Sequence, residues 1–571
     1  MTVMRERKKA GLRKWMLLLL VAGVMLLGCI SACAESFSIR ASMTFGDTRV
    51  TVSSRYVNQK HTLSIPGSWD LSRVYIEMTG PDRIRVGDTE IVSGQLNDLT
   101  NCLGLKQNYY SAKGLKQPGT LSILHGSSIP SMHIEVRKRD LRTTNSDKHN
   151  VITQGTVVYL EADGTVSYDG KIESFKGRGN STYAYSKKPY QVKLASKADL
   201  SGMGKDKTWL LIANWLDLSL LRNEIILQLA DQIGMPYAVE CRMVDLYLNG
   251  EYNGLYLMTE KIQIGRSRIR ITDLEETTET INTVDVSTVK KFKETKTEGL
   301  QMLRGYRIPV DPEDITGGYI LEIEKTHRFT DKIDNGFRTS NGLSVTVKEP
   351  TYASRAQVKY IGTLVSDFHK AVLAGDGRSP DTGKYYADFI DMESWALKWW
   401  VEEISKNYDA MASSQFFFKD SDKVDSRLYA GPCWDYDLSC GNMHATNFVY
   451  GASPMRDYVA VYSSKKTNLY RALYQHDDFK TLLSDIYRTR VRPALGILLG
   501  ETESRPEDTL RPFDRYAEEI DASAQMNFTR WPESLVSGYY RKSGTTHQQS
   551  ADYLKSFFTR RVEYLDSVWL K

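Results

Sequence analysis

The chain has 571 residues, of which 41% are hydrophobic and 25% are charged, and its formal net charge is +5. This length exceeds what one hydrophobic core usually serves, so two or more structural units are expected, and the composition excludes disorder of the whole chain. The charge gives no support for nucleic-acid binding, because the N-terminal leader accounts for all of it.

The leader, residues 1–34, is typical of a secretory signal peptide. Its basic side chains precede an apolar run at residues 16–27, which is too short for an ordinary membrane span. Two cleavage sites remain open: residues 26–29 resemble a lipobox whose Cys29 would carry lipid, and residues 32–34 resemble an ordinary A-x-A site. We therefore expect an exported protein at the cell surface or outside the cell, attached to the membrane at most through lipid on Cys29.

Residues 35–128 are predicted to form a small β-sandwich. Short β-branched and aromatic runs, such as residues 49–53 and 74–78, alternate with clusters of Gly, Pro, Asn and Asp. No residue in this region indicates a chemical site. We place its end near Ile129 and interpret the polar residues 138–150 as a connector or an early loop.

Residues 129–571 are predicted to form an α+β domain. A helix is expected over residues 218–233, with Asp217 as N-cap and Gly234 as stop, because apolar side chains recur every four residues. Two strands at residues 243–248 and 255–259 should follow, with an Asn-Gly turn signal between them.

The later part of this domain is predicted to contain a loop insertion followed by a helical region. Residues 272–317 are rich in Thr, Glu and Lys, which indicates an inserted mobile loop. After Pro350 the pattern turns helical, first at residues 353–374 and 391–405 and then from Leu469 to the C-terminus.

Four cysteines lie beyond the leader: Cys102, Cys241, Cys433 and Cys440. No C-x-x-C pair suggests a zinc site. A Cys433–Cys440 bridge is possible in an exported protein, and the alternative is that all four are small buried side chains.

A glycine-bearing basic segment at residues 176–182 is the first candidate for chemistry. Glycines let backbone amides approach an anion, and basic side chains can neutralise phosphate charge. The candidate nucleotide-binding residues here are Arg178, Asn180, Lys188 and Lys193. An ordinary β-hairpin turn would have the same appearance.

Two acidic segments form the second candidate. Asn407 and Asp409 follow the helix predicted at residues 391–405, and Asp435 and Asp437 follow a strand predicted at residues 427–430. Alternating aspartates on an extended segment would point to one side and offer oxygen ligands to a hard divalent cation. The alternative is that they cap turns.

Arg222, at the start of the first helix, and Glu260, at the end of a strand before Lys261, are further candidates for orienting phosphates. The alternative for these charged residues is a surface salt bridge.

Taken together, these segments resemble the CotH family of spore-coat, secreted, atypical protein kinases. The matching segments are residues 176–194, 206–223, 244–261, 317–324, 347–350, 407–418, 430–437 and 561–569. Gln415 and the long insert at residues 272–317 depart from the family pattern without touching the acidic motifs.

The resemblance implies a remodelled protein-kinase fold that uses ATP and Mg²⁺ (or Mn²⁺) to phosphorylate serine or threonine in secreted or surface proteins. By resemblance, Asp409 and Asp435 are the catalytic residues and both bind metal, with Asn407 and Asp437 as further ligands. Two other functions stay open. One is a surface adhesion protein that keeps the fold without turnover, and the other is a glycosidase that uses Asp409 and Asp435 as acid and base.

Overall fold

The computed structural model describes residues 37–111, 119–297, 299–410, 412–442, 453, 455–459, 466–535 and 544–571. The predicted leader, with Cys29, lies outside these residues. The chain divides into two compact units, one comprising residues up to Ile65 together with Trp69–Leu124, the other comprising Pro66–Ser68 together with His125–Lys571. The division falls a few residues before Ile129.

The first unit is built from two β-sheets. One is four-stranded with the order β2-β1-β5-β8, and the other is six-stranded with the order β3-β4-β10-β9-β6-β7. Strands from the two sheets contact each other, as in a two-layer β structure. The strands are β1 (Ser38–Phe45), β2 (Thr48–Ser53), β3 (Arg55–Val57), β4 (Lys60–Ile65), β5 (Val74–Thr79), β6 (Arg83–Val86), β7 (Thr89–Val92), β8 (Gln95–Asn97), β9 (Gly104–Ser111) and β10 (Gly119–His125).

The second unit begins with an eight-stranded sheet of order β12-β14-β13-β11-β17-β18-β16-β15. Because β14 and β15 also pair with each other, the sheet closes into a barrel. Alternate side chains such as Phe175, Tyr190 and Trp209 fill its interior. The strands are β11 (Ser131–Val136), β12 (Val151–Ile152), β13 (Gly155–Leu160), β14 (Val166–Gly177), β15 (Tyr190–Asp199), β16 (Lys205–Ile212), β17 (Cys241–Leu248) and β18 (Glu251–Glu260).

Two helices accompany the barrel, and each corrects a prediction. Helix α1 (Lys138–Ser146) occupies most of the stretch interpreted as a connector or loop. Helix α2 (Arg222–Gln232) begins four residues later than predicted, because Asp217 accepts the backbone N–H groups of Ser219 (3.0 Å) and Arg222 (2.9 Å) in a preceding turn. Gly234, at φ +88°, ends α2 as predicted.

The strands predicted at residues 243–248 and 255–259 are confirmed as the β17–β18 hairpin. Asn249 and Gly250 connect them with φ values of +51° and +78°. Positive φ at both positions matches the twist of the flanking strands, which is why an Asn-Gly pair is favoured there.

A seven-stranded sheet of order β19-β20-β22-β23-β21-β24-β25 follows. The prediction of a mobile loop over residues 272–317 is wrong, because this stretch contains a helix and two strands of the sheet. Five of its apolar side chains are buried and fix it to the core: Leu274, Val286, Phe292, Leu300 and Leu303. The elements are α3 (Leu274–Ile281), β19 (Lys291–Thr297), β20 (Leu300–Tyr306), β21 (Tyr319–Ile323), α4 (Thr326–Lys332), β22 (Gly336–Thr339), β23 (Ser344–Glu349), β24 (Gln415–Lys419) and β25 (Tyr429–Ala430).

The remaining part is largely helical, as predicted, so the α+β class is confirmed. The two helices expected at residues 353–374 and 391–405 are α5 and α6, with caps at Ser354 and Asp391. No described helix is long and apolar enough to cross a membrane. The helices are α5 (Arg355–Leu373), α6 (Met392–Ser405), α7 (Leu469–Leu473), α8 (Asp477–Ile486), α9 (Arg492–Leu498), α10 (Phe513–Arg530) and α11 (His547–Trp569).

The four cysteines of the described residues all carry free thiols and are buried: Cys102, Cys241, Cys433 and Cys440. They therefore serve as small core side chains, and the alternative of a Cys433–Cys440 bridge is wrong.

Candidate active site

The end of α6 presents the first acidic segment. Lys406, at φ +50°, ends the helix, and Asn407 follows it completely buried. The Asn407 side-chain oxygen accepts the backbone N–H of Asp409 at 3.1 Å. Asn407, predicted as a metal ligand, therefore uses this oxygen to fix the turn that carries Asp409.

Asp409 is partly accessible, with 15% of its side chain exposed, and it has a cationic partner. Lys325 Nζ lies 2.7 Å from Asp409 Oδ1. Lys325 comes from the junction of β21 and α4, and its ammonium also lies 5.5 Å from the centre of the Tyr408 ring. The ion pair fixes the direction of the Asp409 carboxylate at the mouth of the site.

The second acidic segment does not have the extended form that the sequence suggested. Strand β25 ends at Ala430, and Asp435 adopts a left-handed backbone with φ +71°. The argument that Asp435 and Asp437 alternate along a strand is therefore wrong. A turn of the chain, and not strand pleating, positions these two carboxylates.

The structure nevertheless brings the acidic residues together. Burial raises the pKa of Asp435, and the negative charge of Asp409 raises it further. Burial also raises the pKa of Asp437 well above its usual range, and the charges of Asp435, Asp217 and Asp409 add to the effect. The neighbouring carboxylates therefore disfavour the ionised forms of both Asp435 and Asp437.

Arg178 connects the glycine-bearing loop between β14 and β15 to this acidic group. Its guanidinium carbon lies 5.5 Å from the centre of the Trp434 ring. Loss of water contact lowers the pKa of Arg178 to about 10, and the charge of Asp435 opposes that shift. The loop thus delivers one half-buried cation beside Asp435, where an anionic ligand would also need it.

The other three residues predicted in this loop region point to local partners. Asn180 is exposed. Lys188 Nζ donates to the carbonyl oxygen of Tyr183 at 2.8 Å, and Lys193 Nζ lies 2.5 Å from Glu173 Oε1. Neither lysine forms an ion pair with Asp409, Asp435 or Asp437.

Arg222 is completely buried, which corrects both its predicted contact with a nucleotide and the alternative of a surface salt bridge. Its guanidinium pairs with Asp217 and donates to Ser439 O at 3.1 Å. The neighbouring Asn223 accepts the backbone N–H of Tyr436 at 2.7 Å. The start of α2 therefore holds the acidic segment in place.

Glu260 is also buried, and the same correction applies to it. It pairs with Arg268 and accepts from Tyr237 Oη at 2.7 Å and from the backbone N–H of Glu240 at 3.1 Å. Burial raises the pKa of Glu260 to about 7. The predicted partnership with Lys261 is replaced by the internal pair with Arg268.

Three charged residues of the site were not predicted from the sequence. Glu322 on β21 pairs with Lys348 Nζ of β23 at 3.1 Å, and its charge contributes to the raised pKa of Asp435. Both residues lie in segments that carry the family resemblance, but neither has a motif of its own. Nothing near Lys325 in the sequence indicates its pairing with Asp409, which depends on the tertiary fold.

Helix α6 supports both acidic segments through buried charges. Its Lys398 and Glu402 form an ion pair, and both side chains contact the hydroxyl group of Tyr436, at 2.9 and 2.7 Å. The next residue, Glu403, pairs with Arg561 of α11.

Glu403 also fixes a segment that touches the Asp409 turn. It accepts the backbone N–H groups of Tyr458 at 2.9 Å and Val459 at 2.6 Å. The hydroxyl group of Tyr458 in turn donates to the carbonyl oxygen of Asn407 at 2.6 Å. The helix therefore determines the positions of both Asp409 and Asp435.

The acidic group fits a divalent cation in composition, although it is not a complete cage. Among the described residues, no three or more His, Cys, Asp or Glu side chains are arranged to hold a metal ion. Mg²⁺, however, keeps several waters and takes one or two carboxylates together with phosphate oxygens. Asp435 is half-buried and Asp437 is buried, and both have raised pKa values, so they provide carboxylates whose negative charge a cation would stabilise.

Comparison with known proteins adds one positive finding. A family model described as CotH kinase protein matches residues 175–565, which is more than half of the chain. No curated protein matches the sequence. The matched region contains Arg178, Lys325, both acidic segments and Arg561.

Proposed function

Because the chain belongs to the CotH kinase family, we propose that it transfers the γ-phosphoryl group of ATP to serine or threonine hydroxyls of secreted or surface proteins. The observation that carries the proposal is the convergence of Asp409, Asp435 and Asp437 beside Arg178. A basic group on a glycine-bearing loop and a cluster of carboxylates are what a triphosphate with its cation requires.

Asp409 is proposed as the catalytic base. The acceptor hydroxyl oxygen forms a bond to the γ-phosphorus as the bond between that phosphorus and the bridging oxygen breaks, and ADP leaves with the electron pair. Asp409 takes the hydroxyl proton, and Lys325 at 2.7 Å keeps its carboxylate oriented toward the acceptor. Its partial exposure leaves room for a protein side chain to approach.

Asp435 and Asp437 are proposed to hold Mg²⁺, or Mn²⁺, with Asp435 as the main ligand. The bound cation would neutralise phosphate charge and orient the triphosphate. Ser414 donates a hydrogen bond to Asp435 Oδ2 at 3.1 Å and limits its rotation. Arg178, whose charge interacts with Asp435, would neutralise the charge of a phosphate oxygen.

The proposal includes a remodelled kinase architecture and an exported location. The β14–β15 loop, which comes from the barrel, meets acidic residues that come from the helical part, and this supports a nucleotide cleft between the two. The leader-like sequence at residues 1–34 supports export. Secreted or surface proteins are then the expected acceptors.

The direct test measures radiolabel transfer from ATP to a mixture of serine- and threonine-containing peptides. The wild type is compared with Asp409→Ala and Asp435→Ala. We expect each substitution to lower the rate by about a thousandfold or more, while thermal melting shows a folded protein. Equal incorporation by all three proteins would contradict the site assignment.

A second measurement separates a kinase from a non-catalytic surface protein. A protein that binds Mg·ATP must melt at a higher temperature when the nucleotide is present, because binding stabilises the folded state. We expect such a shift for the wild type, and a smaller one for Asp435→Ala. Absence of any shift at millimolar Mg·ATP would favour an adhesion function.

A further inference from the structure

A second concentration of charge lies at the end of the β15–β16 hairpin, apart from the acidic residues. Here β15, β16 and the loop after β18 enclose a groove of about 400 Å³. We call it the basic groove. Six cationic side chains line it: Lys193, Lys197, Lys205, Lys207, Lys261 and Arg266.

Most of this charge has no ion-pair partner among the residues that the structure describes. Glu173 pairs with Lys193 at 2.5 Å and with Lys207 at 3.0 Å. Lys197, Lys205, Lys261 and Arg266 form no ion pair with any carboxylate in the described part of the chain.

Asp206, the acidic residue among the groove's lining, is occupied by internal contacts. It accepts the backbone N–H of Thr208 at 2.9 Å and the amide group of Gln263 at 3.1 Å. Like charges gathered in one concave surface repel each other and raise the local concentration of anions. The basic groove is therefore complementary to an anionic partner.

The lining of the groove distinguishes between classes of anion. Ile264 is its one large apolar side chain, and the rest of the surface is polar or charged. Sites for compact ligands such as nucleosides are usually lined mainly by apolar and aromatic groups. A groove of dispersed lysines suits a row of negative charges on an extended chain.

The position of the groove links it to the candidate active site. Gln191, which also lines the groove, pairs across β14–β15 with Lys176, two residues before Arg178. Arg178 reaches Trp434 and Asp435. Strand β15 therefore lines the basic groove and directly follows the loop that carries the cation of the acidic site.

We propose that the basic groove binds an acidic segment of the protein substrate, and this inference depends on the kinase function proposed above. The segment would carry carboxylates or phosphorylated side chains on the same polypeptide as the serine or threonine that receives the phosphoryl group. Binding there raises the local concentration of the acceptor hydroxyl at Asp409. Acidic substrates would thus be selected by charge, away from the reacting atoms.

The test uses the full chain and three synthetic peptides that share one serine acceptor. One carries a run of Asp and Glu, one a run of phosphoserine, and one a run of Gly and Asn. The test variant is Lys197→Glu, Lys205→Glu, Arg266→Glu, which alters exposed residues away from Asp409 and Asp435. The control variant Lys384→Glu, Lys423→Glu, Arg515→Glu makes the same charge change elsewhere in the second unit.

We expect the test variant to raise the KM for the anionic peptides by about tenfold, because three weak and screened interactions are lost and become repulsive. The KM for the neutral peptide and the KM for Mg·ATP should stay unchanged. Added salt should weaken wild-type binding of the anionic peptides and have less effect on the variant. The two anionic peptides show whether carboxylate or phosphate is preferred.

Three results would overturn the inference. They are an unchanged KM for both anionic peptides, an equal rise in the control variant, and a rise confined to the KM for Mg·ATP, which would make the groove a nucleotide site. If the charge-reversed protein does not fold, the matching Lys→Gln and Arg→Gln variant replaces it. Fluorescence anisotropy with a labelled acidic peptide measures binding to the groove without phosphoryl transfer. A chain that transfers no phosphate would therefore contradict the kinase proposal, while peptide binding to the groove could still be tested.

Discussion

The buried charges of helix α6 and those of the acidic segment after β25 are handled in opposite ways. On α6, Lys398 pairs with Glu402, and Glu403 pairs with Arg561 and with two backbone N–H groups. In the acidic segment, Asp435 and Asp437 form no ion pair with any described residue, and each is destabilised as an anion by burial and by neighbouring carboxylates. Buried charge is fully paired in the supporting helix, whereas at the site only Arg178 and Ser414 offset the charge of Asp435, without an ion pair.

This difference distinguishes residues that support the fold from residues that can bind a ligand. In a buried ion pair the two charges neutralise each other, so neither is available to a ligand. Carboxylates that are removed from water without an ion-pair partner destabilise the folded protein, and a bound cation can relieve that destabilisation. The same criterion explains why Arg222 and Glu260, although charged, are framework residues. Their charges are already neutralised.

The largest effect should follow from breaking a compensated pair. Glu403→Gln removes the partner of buried Arg561, and we expect the free energy of unfolding to fall by about 4 kcal/mol, because a buried cation is left unpaired. Chemical denaturation measures the change. Glu393→Gln on the same helix is the matched control, since Glu393 is about half exposed and its pair with Arg490 should contribute less than about 1 kcal/mol. Equal losses in the two variants would contradict the comparison.

Lys325 tests the partly exposed pair at the site itself. Lys325→Met should lower kcat by about a hundredfold, because the carboxylate of Asp409 loses its orientation relative to the acceptor hydroxyl. The KM for Mg·ATP and the melting temperature should change little, since the Lys325 side chain is 29% exposed. Lys325→Arg should restore part of the rate. A lower melting temperature without a selective loss of kcat would show a merely structural role.

Asp245 on β17 is an intermediate case, because hydroxyl groups compensate it in place of an ion pair. It accepts from Tyr252 Oη at 2.9 Å and Ser523 Oγ at 2.7 Å, and burial raises its pKa to about 7. The folded state therefore holds this proton more tightly than the unfolded chain. The stabilisation is complete at low pH and is lost as the pH rises through about 7.

We therefore expect wild-type stability to fall by about 2 kcal/mol between pH 5 and pH 7 relative to Asp245→Asn, which cannot titrate. Urea unfolding of both proteins at each pH measures the difference. Parallel stability profiles would show that the Asp245 carboxyl is ionised, or neutral, throughout this range.

The contrast also explains what the sequence could and could not predict. The helices α5 and α6 and the β17–β18 turn follow from local periodicity and an Asn-Gly pair, which act over a few residues. The prediction for residues 272–317 was wrong because five buried apolar side chains are scattered through a mostly polar sequence. Its order depends on strand pairing with distant β22.

At the site, the acidic residues were visible in the sequence, but their partners were not. Lys325 lies 84 residues from Asp409, and Arg561 lies 158 residues from Glu403. No local pattern encodes pairs at such separations. Arg222 and Glu260 were expected at a ligand because the sequence does not show that they are buried, although their partners Asp217 and Arg268 lie only five and eight residues away.

The smallest expected change is in the free energy of unfolding of Asp435→Asn, and its sign tests whether the Asp435 charge destabilises the folded protein. Asp435→Asn keeps the size of the side chain and its ability to accept from Ser414, but removes a half-buried negative charge that interacts with Asp409. We expect the free energy of unfolding to rise by about 1 kcal/mol while phosphoryl transfer is lost, as is common where a site is destabilised for its function.

Asp425→Asn is the control with the opposite expectation. Arg427 holds the pKa of the Asp425 carboxyl well below its usual range, with Tyr429 contributing, so this charge is compensated and its loss should destabilise the protein. Thermal melting of the two variants without nucleotide measures both signs. If Asp435→Asn is destabilised as much as Asp425→Asn, the Asp435 charge is already compensated by its surroundings, and a bound cation has no unfavourable charge to relieve there.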